Sequence, residues 1–272
     1  MIDIHQNQKN NQPIGVFDSG VGGLSVLREL QKILPNENFV FLADQLYVPY
    51  GEKTKDQLIN LVYKITDYFI GQHNIKMMVV ACNTATCGAI NELRTKYPLP
   101  IVGTVPAVKP AVEKTKSGTV AIIATPSTSK SDALRKLIAD YCHNINVLNI
   151  GCQSLEDAVE EGELDSTEVK RLLNIYLSGV LNSEADQLVL GCTHYPFLKK
   201  SIKKIVGPNV KLIDGNIAIA RHTQSLLQNY LIENNQKKEG EILYFTTGDS
   251  LKFTRVASKL LRRQIQAEKV NI

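Results

Sequence analysis

Residues 14–30 of the chain read IGVFDSGVGGLSVLREL, a strand pattern that runs directly into a helix pattern. The apolar run 14–17 ends in Asp18-Ser19-Gly20, and leucines then recur at three- and four-residue spacing, as on one face of a helix. A buried strand followed at once by a helix is the repeating unit of α/β proteins. The stretch therefore predicts the α/β fold class.

The same alternation of strand and helix patterns continues along the rest of the chain. Further short apolar runs occupy residues 39–43, 77–81, 101–102, 120–124, 147–150, 188–190 and 210–213. Most of these runs lead into a Gly, Asp, Thr or Asn, and segments with helical spacing separate them. Because parallel strands are buried on both faces, they read as continuous apolar runs of this kind. The sequence therefore predicts mostly parallel sheets flanked by helices.

Parts of the chain resemble each other at a nearly constant separation. The matched pairs are 14–17 with 120–123, the run before Cys82 with the run before Cys192, and 101–103 with 212–214. The separations, taken at matched positions, are 106, 110 and 111 residues. A steady separation across three landmarks favours an internal repeat over chance similarity of strand ends. We therefore predict two similar α/β lobes.

Composition limits the partners of the 272-residue chain. Hydrophobic residues make up 43% of it, enough for a sizeable core, and the formal net charge is only +4. The basic residues are dispersed except for Lys259, Arg262 and Arg263, which we interpret as a solvated helix face, so no nucleic-acid partner is expected. No apolar run approaches the roughly 20 residues of a membrane helix, so no membrane partner is expected either.

The N-terminus and the cysteines favour a cytoplasmic location. Residues 1–12 are polar and rich in Asn and Gln, without the apolar stretch of a signal peptide, and we expect them to form a disordered tail. Five cysteines, an odd number in a long chain, argue against a disulfide framework and for free thiols in a reducing compartment. We therefore expect a soluble cytoplasmic protein.

Two of the five cysteines lie where ligands of α/β proteins bind. Cys82 and Cys192 each follow a predicted strand, and ligands bind at the carboxyl ends of parallel strands. Each cysteine should lie near the start of the next helix, where backbone N–H groups and the helix dipole stabilise a thiolate. Because a free thiol has a pKa of about 8.5, a modest decrease makes both protonation states accessible near neutrality. The other cysteines lack this context and are interpreted as structural: Cys87, Cys142 and Cys152.

Two thiols in matching places of a repeat predict acid–base chemistry at a carbon centre. Inversion of a stereocentre requires removal of a proton from one face and delivery of a proton to the other. A thiolate base and a thiol acid on opposite sides of the carbon accomplish this, and they exchange roles at each turnover. Asp18 and His194 are the charged neighbours expected to tune the thiols. The active site is expected between the two lobes, which would exclude water and supply fixed dipoles.

Six segments of the chain resemble the glutamate racemases of the aspartate/glutamate racemase superfamily. They are IGVFDSGVGGLSVLREL (14–30), VPYGEKT (48–54), VVACNTAT (79–86), PIVGTVPA (100–107), VEEGEL (159–164) and LGCTHYP (190–196). They occur in the family's order, and together they are highly specific. The resemblance implies interconversion of L- and D-glutamate without pyridoxal phosphate, any other cofactor or a metal. It also implies that the D-glutamate enters peptidoglycan synthesis.

The resemblance assigns roles to individual residues as well. Cys82 and Cys192 would be the catalytic acid/base pair, and Asp18 would assist Cys82. Glu160 and His194 would assist Cys192. The implied substrate-binding residues are Asp18, Ser19, Pro49, Tyr50, Gly51, Asn83, Thr84, Thr128, Thr193 and His194.

The resemblance and the repeat together predict the organisation of the chain. The first lobe is expected to comprise 13–103 plus 216–272, because the family's C-terminal segment returns to it, and the second lobe 104–215. Asp44 matches a family acid near the active site, with its role left open. Glu160 rather than the adjacent Glu161 aligns with the family's Val-Glu pattern. Glutamate is the expected small-molecule partner, and a homodimer is a possible assembly.

Three alternatives remain open at the level of the sequence. The glycine-rich turn 20–23 opens a helix and Asp44 ends the next strand, as in a nucleotide-dependent oxidoreductase, but Ser25 occupies the place of that pattern's last glycine. A zinc site would combine Cys82, Cys87, Cys192 and His194, although no cysteine pair has C-x-x-C spacing. The third alternative is a non-catalytic protein that binds an amino acid.

Overall fold

The computed structural model describes residues 10–272, which form two compact units. Unit 1 comprises the described residues up to Thr104 together with Asn216–Ile272, and unit 2 comprises Val105–Gly215. Most of the tail predicted over residues 1–12 lies outside the described residues. Within 10–272, none of the helices combines the length and the apolar character that a membrane span requires.

Ten strands and eleven helices form the two units within the described residues. The strands are β1 (Ile14–Asp18), β2 (Phe39–Ala43), β3 (Met77–Val80), β4 (Ile101–Gly103), β5 (Thr119–Ala124), β6 (Asn146–Gly151), β7 (Gln187–Leu190), β8 (Lys211–Ile213), β9 (Ile242–Thr246) and β10 (Ala267–Lys269). The helices are α1 (Leu24–Ile33), α2 (Lys55–His73), α3 (Asn83–Lys96), α4 (Val108–Val112), α5 (Pro126–Ser129), α6 (Asp132–Tyr141), α7 (Leu155–Glu160), α8 (Thr167–Leu181), α9 (Lys199–Val206), α10 (Asn216–Asn229) and α11 (Ser250–Leu261). Short 3₁₀ turns occupy Val21–Gly23, Gln45–Tyr47, Tyr50–Glu52 and Tyr195–Leu198.

Each unit contains one sheet, and every strand pairing in the described residues is parallel. The strand order is β10-β9-β2-β1-β3-β4 in unit 1 and β6-β5-β7-β8 in unit 2. The four strands β2-β1-β3-β4 thus have the same order as β6-β5-β7-β8, and the strands paired in the predicted repeat occupy equivalent places. The predicted α/β class with parallel sheets flanked by helices is confirmed.

The strands are parallel because buried runs alternate with helices that cross back over the sheet. All five residues of β1 are buried, as are all five of β2 and all four of β3. Helix α1 turns its leucines towards this core and exposes its polar face. Strands β9 and β10, which complete the sheet of unit 1, were not predicted from the sequence.

The register brings polar side chains to one edge of the sheet in unit 1. Strands β9, β2, β1 and β3 run side by side in the same direction, so their carboxyl ends share an edge. The residues at or just after those ends are Thr247, Asp44, Asp18-Ser19 and Cys82. In unit 2, Cys192 holds the place after β7 that Cys82 holds after β3.

Candidate active site

Cys82 lies at the N-cap position of α3 in unit 1. Its Sγ accepts a hydrogen bond from the backbone N–H of Ala85 at 3.5 Å, and its side chain is buried. The N–H groups of a helix's first turn have no partner within the helix, and the helix dipole is positive there. This position therefore stabilises the thiolate form of Cys82, as the sequence predicts.

Ser19 connects the Cys82 thiol to Asp18. The Ser19 hydroxyl donates to Asp18 Oδ1 at 3.1 Å, and its oxygen lies 3.6 Å from Cys82 Sγ. Because a serine hydroxyl has only one proton to donate, the Ser19 oxygen is the acceptor towards a protonated Cys82. Asp18 thus reaches Cys82 through Ser19, along a chain whose three members are all buried.

The glycine-rich turn holds Asp18 in place. The N–H of Gly20 donates to Asp18 Oδ1 at 3.0 Å. A Cβ atom at position 23 would lie 2.5 Å from the Asp18 Cβ, so only glycine fits at Gly23. The DSGVGG segment therefore packs around the carboxylate of Asp18. The N–H of Gly20 donates to this carboxylate rather than to a ligand phosphate.

Cys192 in unit 2 belongs to a different hydrogen-bonded chain. Its Sγ lies 3.5 Å from His194 Nδ1, and His194 Nε2 lies 2.7 Å from Glu160 Oε1. All three side chains are buried, whereas the neighbouring Glu161 is exposed. Glu160 rather than Glu161 therefore contacts the histidine.

The same chain sets the ionisation of its members. Burial lowers the pKa of His194, but hydrogen bonds and charge interactions with Cys192 and Glu160 outweigh burial and hold that pKa well above its ordinary value. Burial raises the pKa of Cys192, and the hydrogen bond and charge of His194 oppose this increase. A positively charged His194 is thus available to stabilise a thiolate at Cys192.

The expectation that Cys192 lies near the start of a helix needs a correction. The segment after it forms a 3₁₀ turn at Tyr195–Leu198, and α9 begins only at Lys199. Pro196 lies in the first turn of this 3₁₀ segment, where the missing N–H of proline is tolerated. The histidine, not an α-helix N-terminus, is therefore the main partner of this thiol.

The remaining predicted substrate-binding residues are distributed over both units. Unit 1 holds Pro49, Tyr50, Gly51, Asn83 and Thr84, and unit 2 holds Thr128 and Thr193. Tyr50, Asn83, Thr84, Thr128 and Thr193 are buried, whereas Pro49 and Gly51 are partly exposed. The Val48–Pro49 peptide bond is cis.

Two of these residues have informative surroundings. The Oδ1 atom of Asn83 is buried and has no hydrogen-bond partner within residues 10–272. The Thr125 side chain accepts from the N–H of Thr128 at 3.2 Å, and the two hydroxyls lie 3.1 Å apart. Thr128 is thereby held at the carboxyl end of β5.

Sequence reasoning missed two residues that belong to this picture. Glu156 precedes Glu160 by one turn of α7, and its charge adds to the effect of burial in raising the pKa of Cys192. Its spacing of four residues from Glu160 was the available signal, since such residues share a helix face. Thr247 donates to Asp44 Oδ1 at 2.8 Å, and no short-range pattern links two residues so far apart in the chain.

The chain matches known proteins over most of its length. The model of the Asp/Glu/Hydantoin racemase family matches residues 23–223. The glutamate racemase of Herpetosiphon aurantiacus is 41% identical over 246 residues, which are 90% of this chain and 96% of that protein. The chain belongs to the glutamate racemases of this family. It is accordingly an amino-acid racemase, an isomerase.

Solved structures of glutamate racemases agree with the fold. The enzyme from Bacillus anthracis has a TM-score of 0.88 at 31% identity and covers 97% of this chain and 98% of its own. The enzyme from Francisella tularensis in complex with D-glutamate has a TM-score of 0.83 at 33% identity, and covers 96% of this chain and 98% of its own. The family resemblance in the sequence is thus confirmed.

The alternatives left open by the sequence find no support. Membership of a racemase family argues against a nucleotide-dependent oxidoreductase and against a protein that only binds an amino acid. For the zinc alternative, the part of the chain from residue 10 onwards offers no group of three or more His, Cys, Asp or Glu side chains placed to hold a metal ion.

Proposed function

We propose that this glutamate racemase interconverts L- and D-glutamate by two-base proton transfer between Cys82 and Cys192, without a cofactor. One observation carries the proposal: the two thiols follow equivalent strands, and each is hydrogen-bonded to a chain of side chains that includes an acid. Cys82 reaches Asp18 through Ser19, and Cys192 reaches Glu160 through His194. One cysteine as thiolate takes the α-proton and leaves the electron pair on the α-carbon. The other cysteine as thiol then delivers a proton to the opposite face and becomes the thiolate.

The two chains support the two directions of the reaction. Cys82 removes the proton from D-glutamate, assisted by Asp18 through Ser19. Cys192 removes the proton from L-glutamate, assisted by His194. The imidazolium form of His194, favoured by Cys192 and Glu160 together, stabilises the thiolate of Cys192 before this cysteine removes a proton and after it delivers one.

Glutamate binds through the predicted residues of both units. The buried Oδ1 of Asn83, without a hydrogen-bond partner among the described residues, is an acceptor that suits the substrate ammonium group, which has three N–H donors. Further polar contacts come from the Pro49-Tyr50-Gly51 segment and from four hydroxyl groups, those of Ser19, Thr84, Thr128 and Thr193. The D-glutamate complex of the Francisella tularensis enzyme supports this choice of ligand.

The reaction gives the chain its place in metabolism. D-glutamate formed by the enzyme is supplied to peptidoglycan synthesis, in keeping with the family. The protein acts in the cytoplasm, with glutamate as its partner and with neither nucleic acid nor membrane. Its oligomeric state is measured by sedimentation, with a homodimer as the assembly to be tested.

An experiment in heavy water tests the mechanism. The protein, dialysed against a chelator and without added cofactor, is incubated with L-glutamate while optical rotation and the α-proton signal are followed. A two-base mechanism places solvent deuterium in the early D-glutamate but leaves the unreacted L-glutamate protonated, because a different thiol delivers the second proton. Early D-glutamate that keeps the substrate's own proton would contradict the two-base proposal, and activity that returns only with added zinc would contradict the cofactor-free one.

A further inference from the structure

Asp44 at the end of β2 has a hydrogen-bond donor on each of its carboxylate oxygens. The Tyr50 hydroxyl donates to Asp44 Oδ2 at 2.5 Å, and the Thr247 hydroxyl donates to Asp44 Oδ1 at 2.8 Å. Asp44 and Tyr50 are each 2% exposed and Thr247 is 3% exposed, so water does not compete for these hydrogen bonds. Burial raises the pKa of Asp44, and the two donors oppose that increase. The carboxylate is therefore held by Tyr50 on one side and by Thr247 on the other.

Thr247 comes from the C-terminal segment of the chain and is itself fully bonded. It follows β9, which pairs with β2, and its N–H donates to Ala43 O at 3.1 Å. Its hydroxyl also accepts from the N–H of Leu46 at 3.0 Å. One hydroxyl thus fixes both the Asp44 carboxylate and the backbone two residues further on.

Tyr50 links this arrangement to the Cys82 thiol. Its ring packs against Phe17, the residue before Asp18, with ring centroids 6.1 Å apart. Burial raises the pKa of Tyr50 well above its ordinary value, and Asp44, Cys82 and Asp18 contribute to that increase in this order. Tyr50 and Cys82 belong to the same buried cluster of unit 1, and the Tyr50 hydroxyl is bonded to Asp44.

We propose that Thr247 and Asp44 are positioning residues for glutamate, because they hold Tyr50 and with it the Tyr50-Gly51 segment to which the substrate binds. The proposal rests on the proposed function, since it concerns the binding of that substrate. Neither residue acts on the reacting atoms. The C-terminal segment, which carries no predicted catalytic residue, thereby contributes to the active site through the Thr247 hydroxyl.

The expected consequence is a change in KM rather than in kcat. Thr247→Val removes a donor from a buried carboxylate and leaves the Leu46 N–H without its acceptor, so Asp44 and the Tyr50 segment lose their fixed position. The hydrogen-bonded chains of Cys82 and Cys192 keep all their members. We expect KM for glutamate to rise about 10-fold while kcat stays within about threefold, as suits the loss of one hydrogen bond to a charged group.

The experiment compares Thr247→Val with two matched variants. Thr247→Ser keeps the hydroxyl and should restore the KM of the unaltered protein. Thr246→Val removes the adjacent buried hydroxyl, which donates to Gln45 Oε1 and accepts from the N–H of Gly248, both at 3.0 Å. It thus also removes one donor and one acceptor, but neither bonds Asp44, and KM should stay unchanged. Melting temperatures of all variants are recorded alongside the kinetics.

Each result decides the matter. A folded Thr247→Val variant with an unchanged KM, or an equal rise of KM in Thr246→Val, would overturn the positioning role. Should Thr247→Val fail to fold, Thr247→Ala takes its place, since it removes the same donor to Asp44 with a smaller side chain, and an unchanged KM there would overturn the role as well. Turnover of glutamate by the unaltered protein is measured first, so that its absence would contradict the proposed function and not this inference.

Discussion

Cys82 and Cys192 occupy equivalent strand ends of two similarly ordered sheets, yet their surroundings differ. Cys82 has a helix N-terminus and a neutral serine hydroxyl, behind which lies Asp18. Cys192 has a histidine whose other nitrogen is bonded to Glu160, and no α-helix begins beside it. The repeated fold thus places a thiol at the same position in both units, but the groups that stabilise its thiolate form differ between them.

Unequal surroundings do not favour one direction of the reaction. Enantiomers have equal free energies in water, so kcat/KM must be equal in both directions for any variant. On the proposed mechanism, the difference between the thiols instead decides which proton transfer limits the rate. Substitutions that alter one thiol environment at a time make the difference between the two thiols measurable.

Loss of either thiol should have the largest effect. Cys82→Ser and Cys192→Ser should each lower kcat/KM at least ~100-fold, because a serine hydroxyl is a far weaker acid and general acid–base catalysis is typically worth that much. Cys87→Ser in unit 1 and Cys142→Ser in unit 2 serve as controls and should retain near-normal rates. Substantial racemisation by Cys192→Ser would mean that one base suffices.

Loss of the charged partners should have the next largest effect and should separate the two thiols. Asp18→Asn and His194→Asn should each lower kcat/KM about 10- to 100-fold, as expected when a hydrogen bond to a charged group is lost. In Asp18→Asn the transfer at Cys82 becomes more rate-limiting. The primary isotope effect should then grow with α-deuterated D-glutamate and not with α-deuterated L-glutamate.

His194→Asn should show the opposite pattern of isotope effects. There the transfer at Cys192, which on the proposed mechanism breaks the labelled bond of L-glutamate, should become more rate-limiting. Both labels are measured in both variants, with the unaltered protein as reference. An identical response to the two labels would show that Asp18 and His194 do not divide between the thiols.

Local sequence patterns predicted one of these two environments better than the other. The short buried strands and the polar residues at their ends follow from local patterns, which is why Asp18 and Cys82 could be placed at one sheet edge. Glu160 was assigned by resemblance alone, because it lies 34 residues before its partner His194. The α-helix start expected beside Cys192 was wrong, since a 3₁₀ turn at Tyr195–Leu198 precedes α9, which begins at Lys199.

Long-range contacts account for most of what could not be predicted. Thr247 bonds a carboxylate 203 residues earlier in the chain, and this contact exists only because β9 pairs with β2. The apolar run of β9 was available in the sequence, but β10 reads Ala-Glu-Lys and has no strand pattern at all. Its pairing is imposed by the edge of the sheet rather than by its own residues.

Loss of the serine between Asp18 and Cys82 should have a smaller effect. Ser19→Ala should lower kcat about 3- to 10-fold, since its bond to the Cys82 thiol is a hydrogen bond between neutral groups, which contributes roughly 0.5–1.5 kcal/mol. If the chain acts as a unit, adding Ser19→Ala to Asp18→Asn should cause little further loss. Ser201→Ala, which removes a similarly buried hydroxyl in unit 2, is the control. Fully multiplicative losses would show that Asp18 acts on Cys82 by another route.

Loss of the Glu156 carboxylate should shift the pH profile of kcat/KM more than it lowers the maximum of that profile. Besides burial and His194, Glu156 acts on Cys192, and its negative charge contributes to the raised pKa of this thiol. Glu156→Gln removes that charge, so the pKa of Cys192 falls and thiolate forms at lower pH.

The bell-shaped profile of kcat/KM should therefore move to lower pH in Glu156→Gln, equally for both enantiomers. Its maximum should change less than about threefold, because no donor or acceptor of the Cys192–His194–Glu160 chain is removed. Asp157→Asn is the matched control, since it removes the same charge from the same turn of α7 at an exposed position. Measuring kcat/KM across pH for both variants decides the matter: equal profiles would mean that the charge of Glu156 does not act on the thiol, and a shift to higher pH would reverse its sign.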